Sequence, residues 1–148
     1  MTTAIDLATK LFIYKSIADT GRTPRKQEIG ATLAMNEEEV TASLGRLREQ
    51  RLLYLAVESG EIVMAPPFSA VPTAFNVIAN GTTYHANCVW DAYGIAAALH
   101  RDTDIQASCG CCGEPMRLAV RDGKPTPEPG VAHFAVPARH WWDDLTFT

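Results

Sequence analysis

The chain has 148 residues, 47% of them hydrophobic and 20% charged, which suits one globular domain, or two small ones, with a core of ordinary size. The net charge of -4 argues against non-specific nucleic-acid binding, and no apolar run approaches the roughly 20 residues of a membrane span. The start, MTTAIDLATK, has no basic region leading into an apolar one, so no secretory signal is expected; a reducing cytoplasmic compartment follows, where the four cysteines act as thiols or metal ligands rather than as disulfides.

Residues 3 to 19 carry Ile5, Leu7, Ala8, Leu11, Phe12, Tyr14, Ile17 and Ala18, a spacing that predicts a helix with a broad buried face. Asp19-Thr20-Gly21 stops it. Thr23-Pro24 reads as an N-cap followed by proline at the first helical position, opening a short helix with Ile29 and Leu33 inward. Asn36 caps a third helix with Glu37, Glu38 and Glu39 in its first turn and Val40, Leu44 and Leu47 on its inner face. Leu52 to Ala56 and Ile62 to Met64, around Glu58-Ser59-Gly60, predict a hairpin. Three helices and a hairpin make a winged helix-turn-helix over residues 1–65.

A winged helix raises DNA binding, and a metal-responsive regulator with it. The third helix, however, sets four glutamates against Arg46 and Arg48, and a groove-facing helix needs the opposite balance. Nucleic acid is therefore not an expected partner, and a scaffold role is the expectation.

Ala65 to Ser69 reads as a linker or draped segment. Val71 to Ala79 is strand-like and Asn80-Gly81 signals a hairpin turn. Tyr84 to Leu99 begins extended and turns helical, with Asn87 as its cap. Strands are expected at Ile105 to Ser108, Arg117 to Val120 and Val131 to Val136, with turns at Asp122-Gly123 and at Pro125, Pro127 and Pro129. Residues 70–148 are thus a small mixed sheet with one helix, and the fold class is α+β.

All four cysteines lie in this second half. With Asn87 as cap, Cys88 enters the first helical turn, where backbone N–H groups and the dipole favour thiolate. Asp91, three residues on, shares its face, and a neighbouring thiolate raises its pKa and makes it a proton carrier. Sulfur attack with proton delivery suits such a pair. The spacing equally accommodates a small buried thiol beside a capping carboxylate. In Cys109-Gly110-Cys111-Cys112-Gly113, three thiols within four residues can gather a soft metal ion, and Cys109 and Cys112 have knuckle spacing. A tight turn with incidental cysteines fits too, and Cys88 can join only if the fold brings it near. His85 lies close enough in sequence to touch Cys88. His100 and His133 read as surface or strand-edge residues, and His140 precedes Trp141-Trp142, whose indoles plug a core or line a pocket.

Asn87-Cys88-Val89-Trp90-Asp91-Ala92-Tyr93-Gly94, Ala107-Ser108-Cys109 with Gly113-Glu114-Pro115, His133-Phe134-Ala135-Val136-Pro137 and Trp141-Trp142-Asp143-Asp144 together resemble the alkylmercury lyases. The likeness spans essentially the whole chain, the winged helix included. It implies cleavage of a carbon–mercury bond by protonolysis, giving Hg(II) and a hydrocarbon. It also implies two cysteines and an aspartate, no required cofactor, and a role in mercury resistance. Cys88 becomes the first mercury-binding thiolate and Asp91 the proton shuttle, while Cys109 matches a cysteine considered structural in the family.

Trp90, Trp141, Trp142 and Phe68 are expected to exclude water and hold the organic group, with the winged helix as a packed cover. The family's second catalytic cysteine follows the segment matching Trp141 to Thr148, where this sequence ends; Cys111 or Cys112 is the expected substitute. The implied partners are an organomercurial and a mercury-handling protein. The alternative is a non-catalytic thiol binder of Hg, Cu or Zn on the same scaffold, using Cys88, Cys109, Cys111 and Cys112.

Overall fold

The computed structural model describes residues 3–126, 130–134 and 136–143. Helix α1, Ala4–Thr20, opens on a reciprocal cap: the Asp6 N–H donates to Thr3 Oγ1 at 3.1 Å and the Thr3 N–H to Asp6 Oδ2 at 3.0 Å. Its buried stripe is Asp6, Thr9, Ile13 and Ile17. Ile5, Leu7 and Leu11, expected inside, are about half exposed or more, because the inner stripe starts on polar residues that bond to α3 rather than on the apolar ones. Gly21 ends the helix in the left-handed region, φ 75°.

Helix α2, Lys26–Leu33, starts two residues later than expected. Arg25 is the N-cap, because Glu28 reaches back to its N–H at 2.8 Å and also pairs with Arg22. Helix α3, Glu37–Glu49, carries the expected Asn36–Glu39 box, with both hydrogen bonds at 2.9 Å. Its residues Val40, Leu44 and Leu47 are buried.

Eight strands form one sheet: β1 Tyr54–Leu55, β2 Ile62–Ala65, β3 Phe68–Ser69, β4 Phe75–Ala79, β5 Thr82–Ala86, β6 Thr103–Ser108, β7 Pro115–Arg121 and β8 Lys124–Pro125, in the order β1-β2-β3-β5-β4-β6-β7-β8. All the described pairings are antiparallel, where a mixed sheet was expected. Helix α4, Val89–Leu99, links β5 to β6. Those two strands do run parallel, but β4 is slotted between them, so neither has a parallel neighbour.

The 65–69 segment, expected as a linker, belongs to the sheet. Pro66-Pro67 turns the chain and Phe68 pairs with Ala65 on one side and Ala86 on the other. A two-residue strand behind two prolines leaves no periodic signal. The anticipated hairpin turns are present: Asn80-Gly81 and Asp122-Gly123 each take two positive φ angles. No strand forms at 131–134 or at Val136; Ala135, Pro127, Pro129 and Asp144 lie outside the described residues.

Three helices followed by the β1–β2 pair reproduce the element order expected for the N-terminal half. Yet one apolar cluster runs from Ile13, Ile29 and Leu47 through Phe68 and Tyr84 to Ile95 and Ile105. The Tyr84 hydroxyl donates to Ala18 O at 2.7 Å, and the Tyr14 hydroxyl to Pro66 O at 2.8 Å. A Cβ on Gly21 would stand 2.7 Å from Thr83 O, so α1 closes directly onto β5. The expected boundary at 65–70 therefore falls inside a continuous sheet and core. No described helix is long and apolar enough to cross a membrane.

Candidate active site

Strand β5 delivers the chain to the start of α4, where Cys88 and Asp91 sit, both half-buried. Cys88, not Asn87, is the N-cap: its backbone is extended and its carbonyl accepts the Ala92 N–H at 3.0 Å. Asn87 is spent otherwise, its Nδ2 donating to Asp91 Oδ2 at 3.0 Å. This fixes the carboxylate, a role that reading Asn87 as a cap missed. The one visible signal was an amide four residues before a carboxylate.

The Cys88 sulfur faces the backbone N–H groups of Asp91 and Trp90 and the Asp91 carboxyl. The N–H groups favour thiolate, as expected for this position. Burial nevertheless dominates, and with the Asp91 charge beside it the thiol is pushed above its usual range. The expected lowered thiol is thus corrected. Burial likewise pushes the Asp91 carboxyl up, against the hydrogen bonds from Asn87 and Cys88. The upward direction was anticipated; its cause is burial rather than repulsion from sulfur.

The surrounding aromatics are less enclosing than the sequence suggested. Trp90 is 65% exposed. Phe68 is core, its ring 6.3 Å from Tyr14 and 5.8 Å from Tyr84. Trp141 packs on Phe134 at 5.1 Å and donates to Val136 O at 2.8 Å, while Trp142 lies under the Arg51 guanidinium. His85 bonds to Asn76 Oδ1 at 2.8 Å across the β4–β5 ladder. His140 pairs with Asp143, and His100 and His133 are exposed, His100 ending α4.

Cys109 to Glu114 form the β6–β7 turn, closed by the Cys109 N–H to Glu114 O at 2.9 Å and the Gly113 N–H to Cys109 O at 2.8 Å. Backbone N–H groups of Cys112 and Cys111, then the Cys112 thiol, donate toward the Cys109 sulfur and lower its pKa. Cys111 and Cys112 are exposed and Cys109 is half-buried. Ala86 pairs with Phe75, Asn76 with Gln106 and Ser108 with Pro115. Cys88 and Cys109 consequently leave the same end of the sheet two strands apart, about 10 Å at the backbone. Among the described residues no three Cys, His, Asp or Glu side chains are grouped to hold one metal ion. The expectation of one ion shared by Cys88, Cys109, Cys111 and Cys112 is not met in this arrangement. An open cleft of 910 Å³ lined by Arg22, Arg25, Glu28, Glu61, Ile62 and Val71 contains none of these groups.

The alkylmercury lyase (MerB) family model matches residues 68–148, more than half of the chain and every cysteine in it. The chain belongs to the alkylmercury lyase family. Among solved structures it is similar to the crystal structure of the mercury-bound form of MerB2, with a TM-score of 0.67 and 25% identity. The likeness covers 84% of this chain and 60% of that one, so the chain spans three-fifths of that protein's length. No curated protein matches. The family match begins at Phe68, whereas the structural likeness to MerB2 reaches well into the helical half that the lyase resemblance had included.

Proposed function

We propose that this protein is an organomercurial lyase that cleaves carbon–mercury bonds by protonolysis, with Cys88 as the mercury-binding sulfur and Asp91 as the proton donor. The observation that carries the reading is the pairing of a thiol and a carboxyl at the head of α4, both half-buried, with Asn87 holding the acid.

Mercury is soft and prefers sulfur. As the Cys88 sulfur bonds to mercury, the ligand opposite the organic group leaves as an anion, Asp91 takes the thiol proton, and burial favours the neutral acid that results. A second thiolate on mercury pushes electron density toward carbon. Asp91 then returns its proton to that carbon, the carbon–mercury bond breaks, the hydrocarbon leaves and Hg(II) stays on two sulfurs. The second thiolate is assigned to Cys111 or Cys112, whose turn rises from the same sheet end as Cys88. The reaction requires no resident cofactor, and free thiols suit a reducing cytoplasm.

The test is to incubate the reduced protein with a simple organomercurial and excess thiol, measuring hydrocarbon and inorganic mercury together. Asp91→Asn should lower hydrocarbon release by about a hundredfold or more while mercury uptake persists. Mercury retained with its organic group attached, in the unsubstituted protein, would instead favour a thiol binder without turnover. A Cys111→Ser/Cys112→Ser protein that released hydrocarbon at the parent rate would dismiss those two as the second sulfur.

A further inference from the structure

We propose that Asn87 is a positioning residue for the proton transfer: its side-chain amide reserves Oδ2 of Asp91 as a hydrogen-bond acceptor, so that the transferable proton is carried on Oδ1. The inference rests on the lyase reading of Cys88 and Asp91 and adds to it a division of labour between the two oxygens of the acid.

The contact that carries it is the bond from Asn87 Nδ2 to Asp91 Oδ2, 3.0 Å long and partly buried. The NH2 end of an amide donates and does not accept. The oxygen it faces must present a lone pair, and in a neutral carboxylic acid the carbonyl oxygen does so better than the hydroxyl oxygen. Oδ2 is accordingly the carbonyl oxygen when Asp91 is protonated, and Oδ1 bears the hydrogen. The amide carries no charge at any stage, so it keeps this order before and after the proton moves.

The amide is itself held from both sides. Before it, Ala86 ends β5 paired with Phe68 and Phe75, and its carbonyl accepts the Thr73 hydroxyl at 2.5 Å. After it, Cys88 caps α4, its carbonyl accepting the Ala92 N–H. The anchor thus stands at the end of the sheet while the acid stands on the helix, and the carboxyl is kept from turning over and exchanging its oxygens.

The proton then has a single seat. Oδ1 gains it as the S–H bond of Cys88 breaks. Oδ1 gives it up to carbon as the carbon–mercury bond breaks, and the electron pair of that bond becomes the new C–H bond. Asn87 keeps its own hydrogens, and nothing is oxidised or reduced. An acid free to turn would hold its proton away from the carbon for part of the time.

The experiment compares Asn87→Ala and Asn87→Asp with the unsubstituted chain in a single turnover of a simple organomercurial, reading mercury uptake and hydrocarbon release separately. Both variants should take up mercury to the parent's extent and release hydrocarbon about tenfold more slowly, the worth of one hydrogen bond. Asn87→Asp keeps the shape of the side chain but sets two carboxyls together, which share a proton on the Oδ2 side; it should be the slower of the two. Release at the parent rate by Asn87→Asp, or uptake falling together with release, would reduce Asn87 to a packing residue and overturn the proposal. A second measurement needs no turnover. In acid, the C=O stretch of neutral Asp91, identified as the infrared band that Asp91→Asn removes from each background, should rise in frequency in Asn87→Ala because the carbonyl oxygen has lost its donor. An unmoved band would put the hydrogen on Oδ2 and overturn the proposal as well. Absence of hydrocarbon from the unsubstituted chain would remove the lyase reading, while the infrared band still decides which oxygen Asn87 reserves.

Discussion

Burial raises both members of the Cys88–Asp91 pair, and the consequences differ with pH. For Asp91 the folded pKa lies above the unfolded 3.8. Above that value the unfolded chain gives up a proton the native one keeps, so this group's contribution falls as pH climbs through its folded pKa. Asp91→Asn should therefore melt higher than the parent at neutral pH, the gap shrinking below pH 3.8. A gap independent of pH in thermal scans would show that the carboxyl titrates normally. Cys88 and Cys109 are shifted in opposite directions. Limiting iodoacetamide at neutral pH, followed by peptide mass mapping, should label Cys109 ahead of Cys88. That Cys88 and Asp91 share one face was legible from their three-residue spacing at a helix start, and a chemical use for the pair only from the family resemblance. The pair's electrostatics were not: the balance between N–H groups and burial depends on what the tertiary fold stacks over them.

Among the elements, α1 and α3 are joined by a buried carboxylate. Asp6 accepts from Arg46 Nη2 at 2.8 Å and from Ser43 Oγ at 2.8 Å while also capping its own helix. The Arg46 guanidinium holds the Asp6 carboxyl far below the usual range. This stability is present above pH 3.8 and fades as acid protonates the group. Asp6→Ala should cost about 2 kcal/mol at neutral pH through the lost α1 cap and the lost bonds to Ser43 and Arg46, read by urea titration, with a smaller penalty in acid. Gly21→Ala should cost about 2 kcal/mol, because a Cβ there meets the Thr83 carbonyl and the backbone has φ 75°. The Asn36 cap and the turns at Asn80-Gly81 and Asp122-Gly123 were readable from the sequence because each satisfies its backbone locally, whereas the caps read at Thr23 and Asn87 fall at Arg25 and Cys88. Asp6 was not singled out, since its partners Ser43 and Arg46 lie 37 and 40 residues away.

At the scale of the molecule, the inward turn of Arg46 also removes a cation from the surface of the helical half. That guanidinium is committed to Asp6, leaving the exposed Arg48 as the remaining cation of α3 against Glu37, Glu38, Glu39 and Glu49. Gel retardation of duplex DNA at low salt should therefore show no binding, and a salt-dependent shift would restore the regulator reading. Fold class and the order of the four helices and the longer strands were accessible from periodicity, while β3 and β8 were missed and the strand expected at Val131 to Val136 does not form at 131–134 or at Val136. The single sheet was not accessible, because its joining strand is two residues long and follows two prolines.

The joining strand has a consequence for dissecting the protein. Cutting before Phe68, where the family match starts, would strip β2 from β3 and bare the Phe68 and Tyr84 rings that α1 now covers. A raw strand edge beside newly wetted aromatics invites chains to stack. A fragment from Phe68 onward should consequently aggregate on purification, and any graft of a foreign helical half must bring its own β1–β2 pair to mend the seam.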